Sequence, residues 1–291
     1  LSRSAERGSW ALPTTIWDER DVIFGRWKQR GRRADRPAGA KGWRAYAIGD
    51  VHGRLDLLEA LLARIERDHH ERGGRVRPLL IFVGDLIDRG PDSAGVVEKI
   101  ASEPLSGFKT IALTGNHEEV FLRLIDNREP ALLAEWLRFG GDNTVRSYGG
   151  DPDLLARIPE GEALDRLSAL VPPRHFEFLI NLGDTFRFGT YLFVHAGLRP
   201  GVALEEQVPT DLRWIRSAFL DDPRNHGPMI VHGHTISERI DERHNRIGID
   251  TGAYKSGILS AIAIEGKERW FLQTGKTPSA RREKSNAKAA A

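Results

Sequence analysis

The sequence predicts an α/β protein with two packed sheets as its core, and three observations carry that prediction. Apolar segments at 44–48, 79–83 and 109–113 each run into a Gly-Asp or Gly-Asn turn. Each turn opens a helical pattern, so the order reads β-α-β-α-β with functional loops at the carboxyl ends of the strands. Strand-like segments then return at 191–194, 229–231, 246–249, 258–264 and 269–273, which is enough for a second sheet.

The helix after the first turn is the clearest element. Leu55, Leu58, Leu62 and Ile65 share one face at spacings of three and four, the period of a helix lying on a core. From Glu118 to about 180 the pattern stays helical, broken by Gly-Gly-Asp-Asn-Thr at 140–144 and Gly-Gly-Asp-Pro at 149–152. Residues 119–190 are read as a helical, cap-like insertion near the strand ends that selects substrates. Residues 1–43 form a basic extension with Trp10, Trp17 and Trp27 as its bulky anchors, 44–275 the main domain, and 276–291 a basic tail expected to be disordered.

A chain of 291 residues with 40% hydrophobic content can bury a sizeable core. Its longest apolar runs, such as 79–83, fall far short of the roughly 20 residues that cross a bilayer, so no membrane partner is expected. The opening residues mix Arg3, Glu6 and Arg7 with Ser and Gly and lack the apolar core of a signal peptide, so cytoplasmic residence is expected. With no cysteine, disulfides and thiolate metal sites are excluded, leaving His, Asp, Glu and Asn as side-chain ligands. Residues 1–44 carry eleven Lys/Arg against five Asp/Glu, and 276–291 five against one, so the middle of a chain of net charge +2 is acidic. That balance suits a domain that gathers carboxylates around cations, and equally an ordinary solvated surface.

Five strand-end motifs follow one another. Gly49-Asp50-Val51-His52-Gly53 is expected to point Asp50 and His52 to one side by strand alternation, which suits a metal, although alone it reads as an N-cap turn. Gly84-Asp85-Leu86-Ile87-Asp88-Arg89-Gly90 puts two acids and an arginine in one tight loop, either for cations and phosphate or as a surface Asp88–Arg89 ion pair. Gly115-Asn116-His117-Glu118 offers a neutral oxygen ligand and a histidine that suits either a ligand or an acid. Val194-His195-Ala196-Gly197 and Val231-His232-Gly233-His234 complete the set. Separate structural explanations would be needed for five such turns, whereas one binuclear site with His and oxygen ligands explains them together.

In this order the motifs resemble those of the calcineurin-like metallophosphoesterases, and more narrowly the bacterial and phage branch of the phosphoprotein phosphatases. The resemblance spans about 44–274. It implies two packed mixed sheets flanked by helices and two divalent ions, manganese first, with iron, zinc or cobalt as alternatives. It implies that Asp50 and His52 hold one metal, that Asp85 bridges both, and that Asn116, His195 and His234 hold the other. His117 matches the general acid and Asp88 the carboxylate that orients it. Arg89 matches a phosphate-binding guanidinium and Arg216 a second, with Arg213 close by; Tyr254 lies in the hairpin expected after the last ligand.

The implied activity is phosphomonoester hydrolysis, most narrowly protein serine/threonine phosphatase activity, by in-line attack of a metal-bridging hydroxide on a phosphoprotein or phosphopeptide. The alternatives are a tyrosine preference or a dinucleotide polyphosphate hydrolase of the diadenosine tetraphosphatase kind, against which the acid Asp88 before Arg89 counts. From another class, the arginines at 30–36 allow nucleic-acid binding or RNA-end processing, disfavoured by the lack of interleaved aromatics. His232 is expected to be structural, His175 packed, and His69, His70, His226 and His244 solvated.

Overall fold

The computed structural model describes residues 36–275. The expectations for Trp10, Trp17, Trp27, most of the basic extension and the tail lie outside the described residues. Strand β1 (Trp43–Ile48), helix α1 (Leu55–Arg72), β2 (Arg77–Phe82), α2 (Ser93–Ala101), β3 (Lys109–Ala112) and α3 (Asn116–Ile125) reproduce the alternation read from the sequence. Strand β1 pairs in parallel with β2, and β2 with β3.

Helical segments follow: the short α4 (Leu133–Trp136), a π turn (Leu137–Gly141), α5 (Asp142–Ser147) and α6 (Pro152–Leu155) and, longer, α7 (Glu160–Leu170) and α8 (Pro173–Ile180). The chain returns to strand at β4 (Thr185–Phe188), inside the segment expected to be helical, then at β5 (Tyr191–Val194), β6 (Met229–His232), β7 (Asp241–Glu242), β8 (Arg246–Gly248), β9 (Ser260–Glu265) and β10 (Glu268–Gln273). The first sheet runs β10-β9-β1-β2-β3 and the second β4-β5-β6-β8-β7, both of them mixed.

Alternation along the strands assigns each face. Ala45, Ala47, Leu79, Ile81 and Val83 pack against Tyr191, Phe193, Val231 and Ile247 of the second sheet, whereas Tyr46, Ile48, Leu80 and Phe82 turn to the helices. There Leu58, Leu61, Leu62 and Ile65 of α1 are buried, each contributing roughly 1.5–3 kcal/mol. The outer face of the second sheet, with Leu192, Val194 and Ile230, is covered by Leu212, Ile215 and Phe219. None of the described helices is long and apolar enough to cross a membrane.

Part of the expected extension joins this domain: the Gly39 amide donates to the Gly266 carbonyl at 2.7 Å and the Thr190 amide to Ala38. His69 is not simply solvated. Its ring lies 5.1 Å from that of Phe108, and its carbonyl at the end of α1 accepts from buried Arg44, a cation at a helix C-terminus. His226 likewise packs on Phe219, at 5.3 Å. His175 is buried as expected, held by Tyr148 and Glu98.

Candidate metal centre

Every predicted site residue on a strand end follows a parallel strand: Asp50 after β1, Asp85 after β2, Asn116 and His117 after β3, His195 after β5 and His234 after β6. The sixth parallel strand, β8, adds an acid not foreseen from the sequence, Asp250. Carboxyl ends of parallel strands from both sheets therefore converge on one place.

Two groups of side chains lie close enough to share an ion: His52, Asp85 and His117, and Asp85, His195 and His234, with potential ligand atoms in each within 4.8 Å of one another. Asp85 belongs to both. Its Oδ2 lies 3.4 Å from His52 Nε2 and its Oδ1 3.3 Å from His195 Nε2. The ring tautomers suit ligation. Nδ1 of His52 sits 2.8 Å from the Ile87 carbonyl, and Nδ1 of His195 2.9 Å from that of Val83. A carbonyl only accepts, so both Nδ1 atoms carry hydrogen and both Nε2 atoms face Asp85. Asn116 Oδ1 lies 3.1 Å from His195 Nε2, beside the second group.

Asp50 stands outside both groups. Its Oδ2 accepts from the His234 amide at 2.9 Å. Nor does alternation place His52, which adopts a left-handed backbone with φ 46° beyond the end of β1, while its amide and that of Val51 donate to the Asp85 carbonyl. Left-handed φ recurs at Asp85, Asp88, Arg89 and His234, making five of the seven such non-glycine residues among those described. Each costs roughly 1–3 kcal/mol, and such strain gathers where function holds it.

The electrostatics fit a cation. Burial, then the charges of Asp250 and Asp85, push the Asp50 carboxyl well above its usual range. Burial pushes the His52 and His234 imidazoles down to about 3, keeping them neutral. Asp50 Oδ1 and His234 Nε2 are sealed from solvent without a hydrogen-bond partner. Three buried carboxylates beside lone pairs that nothing satisfies make a donor set suited to a divalent metal with oxygen and nitrogen ligands.

Asp88 and Arg89 do not pair with each other. Asp88 Oδ2 accepts from His117 Nδ1 at 2.7 Å. Burial lowers the His117 pKa, but Asp85 and the bond to Asp88 outweigh it and raise it overall. Arg89 Nη1 lies 3.0 Å from His52 Nε2, and its guanidinium sits 4.9 Å from the Tyr254 ring, so Tyr254 reaches the site. Arg213 is engaged by Asp184 and Glu119. Exposed Arg216 makes only a 3.5 Å contact to the His234 carbonyl, at the edge of the second group. His232 belongs to neither group and packs on Phe219.

Glu118 was passed over in the sequence. Its carboxylate accepts from the amides of Asp85, Leu86, Ile87 and Gly115, which ties α3 to the loop carrying Asp85 and Asp88. Burial and Asp85 push its pKa up to about 7 against those donors. Gly115 permits the approach, since a Cβ there would stand 2.1 Å from Asp85 Oδ1. Acidic third position after a turn is a capping-box signal, and it was present in Gly115-Asn116-His117-Glu118. Glu118→Gln should destabilise the fold by roughly 2–4 kcal/mol, because an amide nitrogen would face backbone donors. Urea unfolding measures this, and an unchanged midpoint would refute it.

Residues 44–253 match the family described as calcineurin-like phosphoesterase. The chain is 29% identical to serine/threonine-protein phosphatase 1 of Salmonella typhimurium, over 78% of this chain and 94% of that protein. It is 31% identical to a symmetrical bis(5'-nucleosyl)-tetraphosphatase of Dechloromonas aromatica, over 77% and 93%. Among solved structures, a putative diadenosine tetraphosphatase shares the fold with a TM-score of 0.54 at 20% identity, covering 81% of this chain and 98% of that one.

Proposed function

The chain belongs to the calcineurin-like phosphoesterase family and is a metallophosphoesterase hydrolase, and from that premise we propose that it hydrolyses phosphoserine and phosphothreonine in proteins. The observation that carries this reading is the 2.7 Å bond between buried Asp88 and His117. A serine or threonine alkoxide leaves badly without a proton, whereas a nucleotide phosphate leaves well without one. A site that invests a buried carboxylate in orienting a histidine is built for the poorer leaving group.

In this reading Asp50, His52 and Asp85 would hold one divalent cation and Asp85, Asn116, His195 and His234 a second, manganese first, which would supply an activated water and withdraw charge from the phosphoryl oxygens. Arg89, beside His52, and Arg216, beside His234, would present planar guanidinium forks to those oxygens. His117 has Nδ1 committed to Asp88, so Nε2 is the atom that hands a proton to the departing oxygen.

The competing reading rests on the relative from Dechloromonas aromatica, whose name makes it a dinucleotide tetraphosphatase. Metal-stripped protein restored with manganese, iron, zinc or magnesium and given phosphopeptides and diadenosine tetraphosphate separates the two. Turnover of phosphoserine and phosphothreonine peptides, highest with manganese, is expected. A preference for the dinucleotide would overturn the assignment.

A further inference from the structure

The insertion does more than overhang the strand ends: its side chains reach the carboxylate behind His117. Asp88 Oδ2, which accepts the hydrogen bond from His117 Nδ1, also accepts from the Trp136 indole at 2.9 Å. Asp88 Oδ1 accepts from the Thr144 hydroxyl at 2.6 Å. With its hydrogen given to the carboxylate, the Thr144 oxygen accepts from the Asp88 amide at 3.0 Å and from Ser93 at 2.8 Å, while Ser93 accepts from that amide at 2.9 Å. Both carboxylate oxygens are thus fixed and neither can rotate away from the histidine.

The supports are themselves held. Trp136 is stacked on Phe121 with centroids 5.4 Å apart, and a Cβ on Gly141 would come within 2.3 Å of its ring. Between α4 and α5 the π turn puts Gly140 at φ 112°, where its carbonyl accepts from the Arg89 amide at 3.0 Å, and Asn143 donates to the Arg89 carbonyl at 2.8 Å. The same short segment grips the side chain of Asp88 and the backbone of Arg89, two consecutive residues in left-handed conformation.

We propose that Trp136 and Thr144 are positioning residues, which hold the Asp88 carboxylate so that His117 presents Nε2 to the leaving group. This rests on the reading of His117 as the proton donor. It assigns these buried residues a part in the chemistry rather than in choosing among peptides.

The test uses the full chain with Thr144→Val, Thr144→Ser, Trp136→Phe and His117→Asn, assayed on phenyl phosphate and p-nitrophenyl phosphate. Thr144→Val and Trp136→Phe should each lower kcat on phenyl phosphate about 10-fold, a fraction of the roughly 10²- to 10⁴-fold that an acid supplies. KM should hold, and p-nitrophenyl phosphate turnover should stay within about 2-fold, because nitrophenolate leaves unaided. Thr144→Ser should restore phenyl phosphate turnover, and in a His117→Asn background neither change should cost more. Equal loss on both substrates, or losses that multiply with His117→Asn, would reduce the two residues to packing and overturn the proposal. If His117→Asn alone lacks the leaving-group preference, the acid assignment fails first and the proposal with it.

Discussion

Asp85→Asn should abolish turnover and strip metal from the protein. The substitution preserves shape, so its effect isolates charge and the second oxygen. In the native chain one carboxylate oxygen faces His52 Nε2 and the other His195 Nε2, and Oδ1 also accepts from the His117 amide at 3.1 Å. An asparagine offers one acceptor, and its NH2 must then either donate to an imidazole lone pair, occupying an atom needed for the metal, or oppose the His117 amide. The charge most responsible for offsetting the buried histidines disappears at the same time. Loss of partners that merely orient ligands costs about 10- to 100-fold in metal affinity, and removal of a ligand common to both groups should exceed that. Metal analysis on dialysed protein, alongside turnover, measures it; wild-type metal content with intact activity would refute the shared role of Asp85.

His117→Asn is expected to split substrates by leaving group. Phosphoserine peptide hydrolysis should fall by about 10²- to 10⁴-fold while p-nitrophenyl phosphate suffers far less. Metal content decides between the two possible positions of this residue, because His117 lies in one group with His52 and Asp85 yet is bonded through Nδ1 to Asp88. Retained metal with selective loss identifies a proton donor. Metal loss with equal slowing of both substrates would make it a ligand.

Much of this architecture was legible because the strands and α1 obey simple periods and the motifs sit at strand ends. What escaped has identifiable physical reasons. β4, Thr-Phe-Arg-Phe, is a short edge strand whose Thr185 and Arg187 lie open to solvent, and β7 is two acidic residues, so neither carries an apolar signal. The left-handed turns at His52, Asp85, Asp88, Arg89 and His234 are invisible to propensity, which reserves that conformation for glycine. They explain why strand alternation misjudged how His52 reaches the site. Trp136 and Thr144 look like ordinary helix residues, and only the folded chain brings them 48 and 56 residues back to Asp88. Asp250 stood in a recognised hairpin but lacked a histidine beside it to draw attention. The roles proposed for the individual ligands rest on the family resemblance, since the geometry alone leaves Asp50 outside both groups and His117 inside one.

The position of β1 governs when the protein becomes competent during its synthesis. One edge of β1 is covered by β2, made soon afterwards, but the other is covered by β9, with Arg44 and Glu265 pairing across 221 residues. While the chain is still being translated, that second edge presents unpaired amides and carbonyls to any passing strand. Asp50 follows the same strand, and the acid beside it, Asp250, comes late in the chain. A growing chain is therefore expected to be adhesive until the β9–β10 hairpin is made, and truncation before β9 should yield an aggregation-prone fragment.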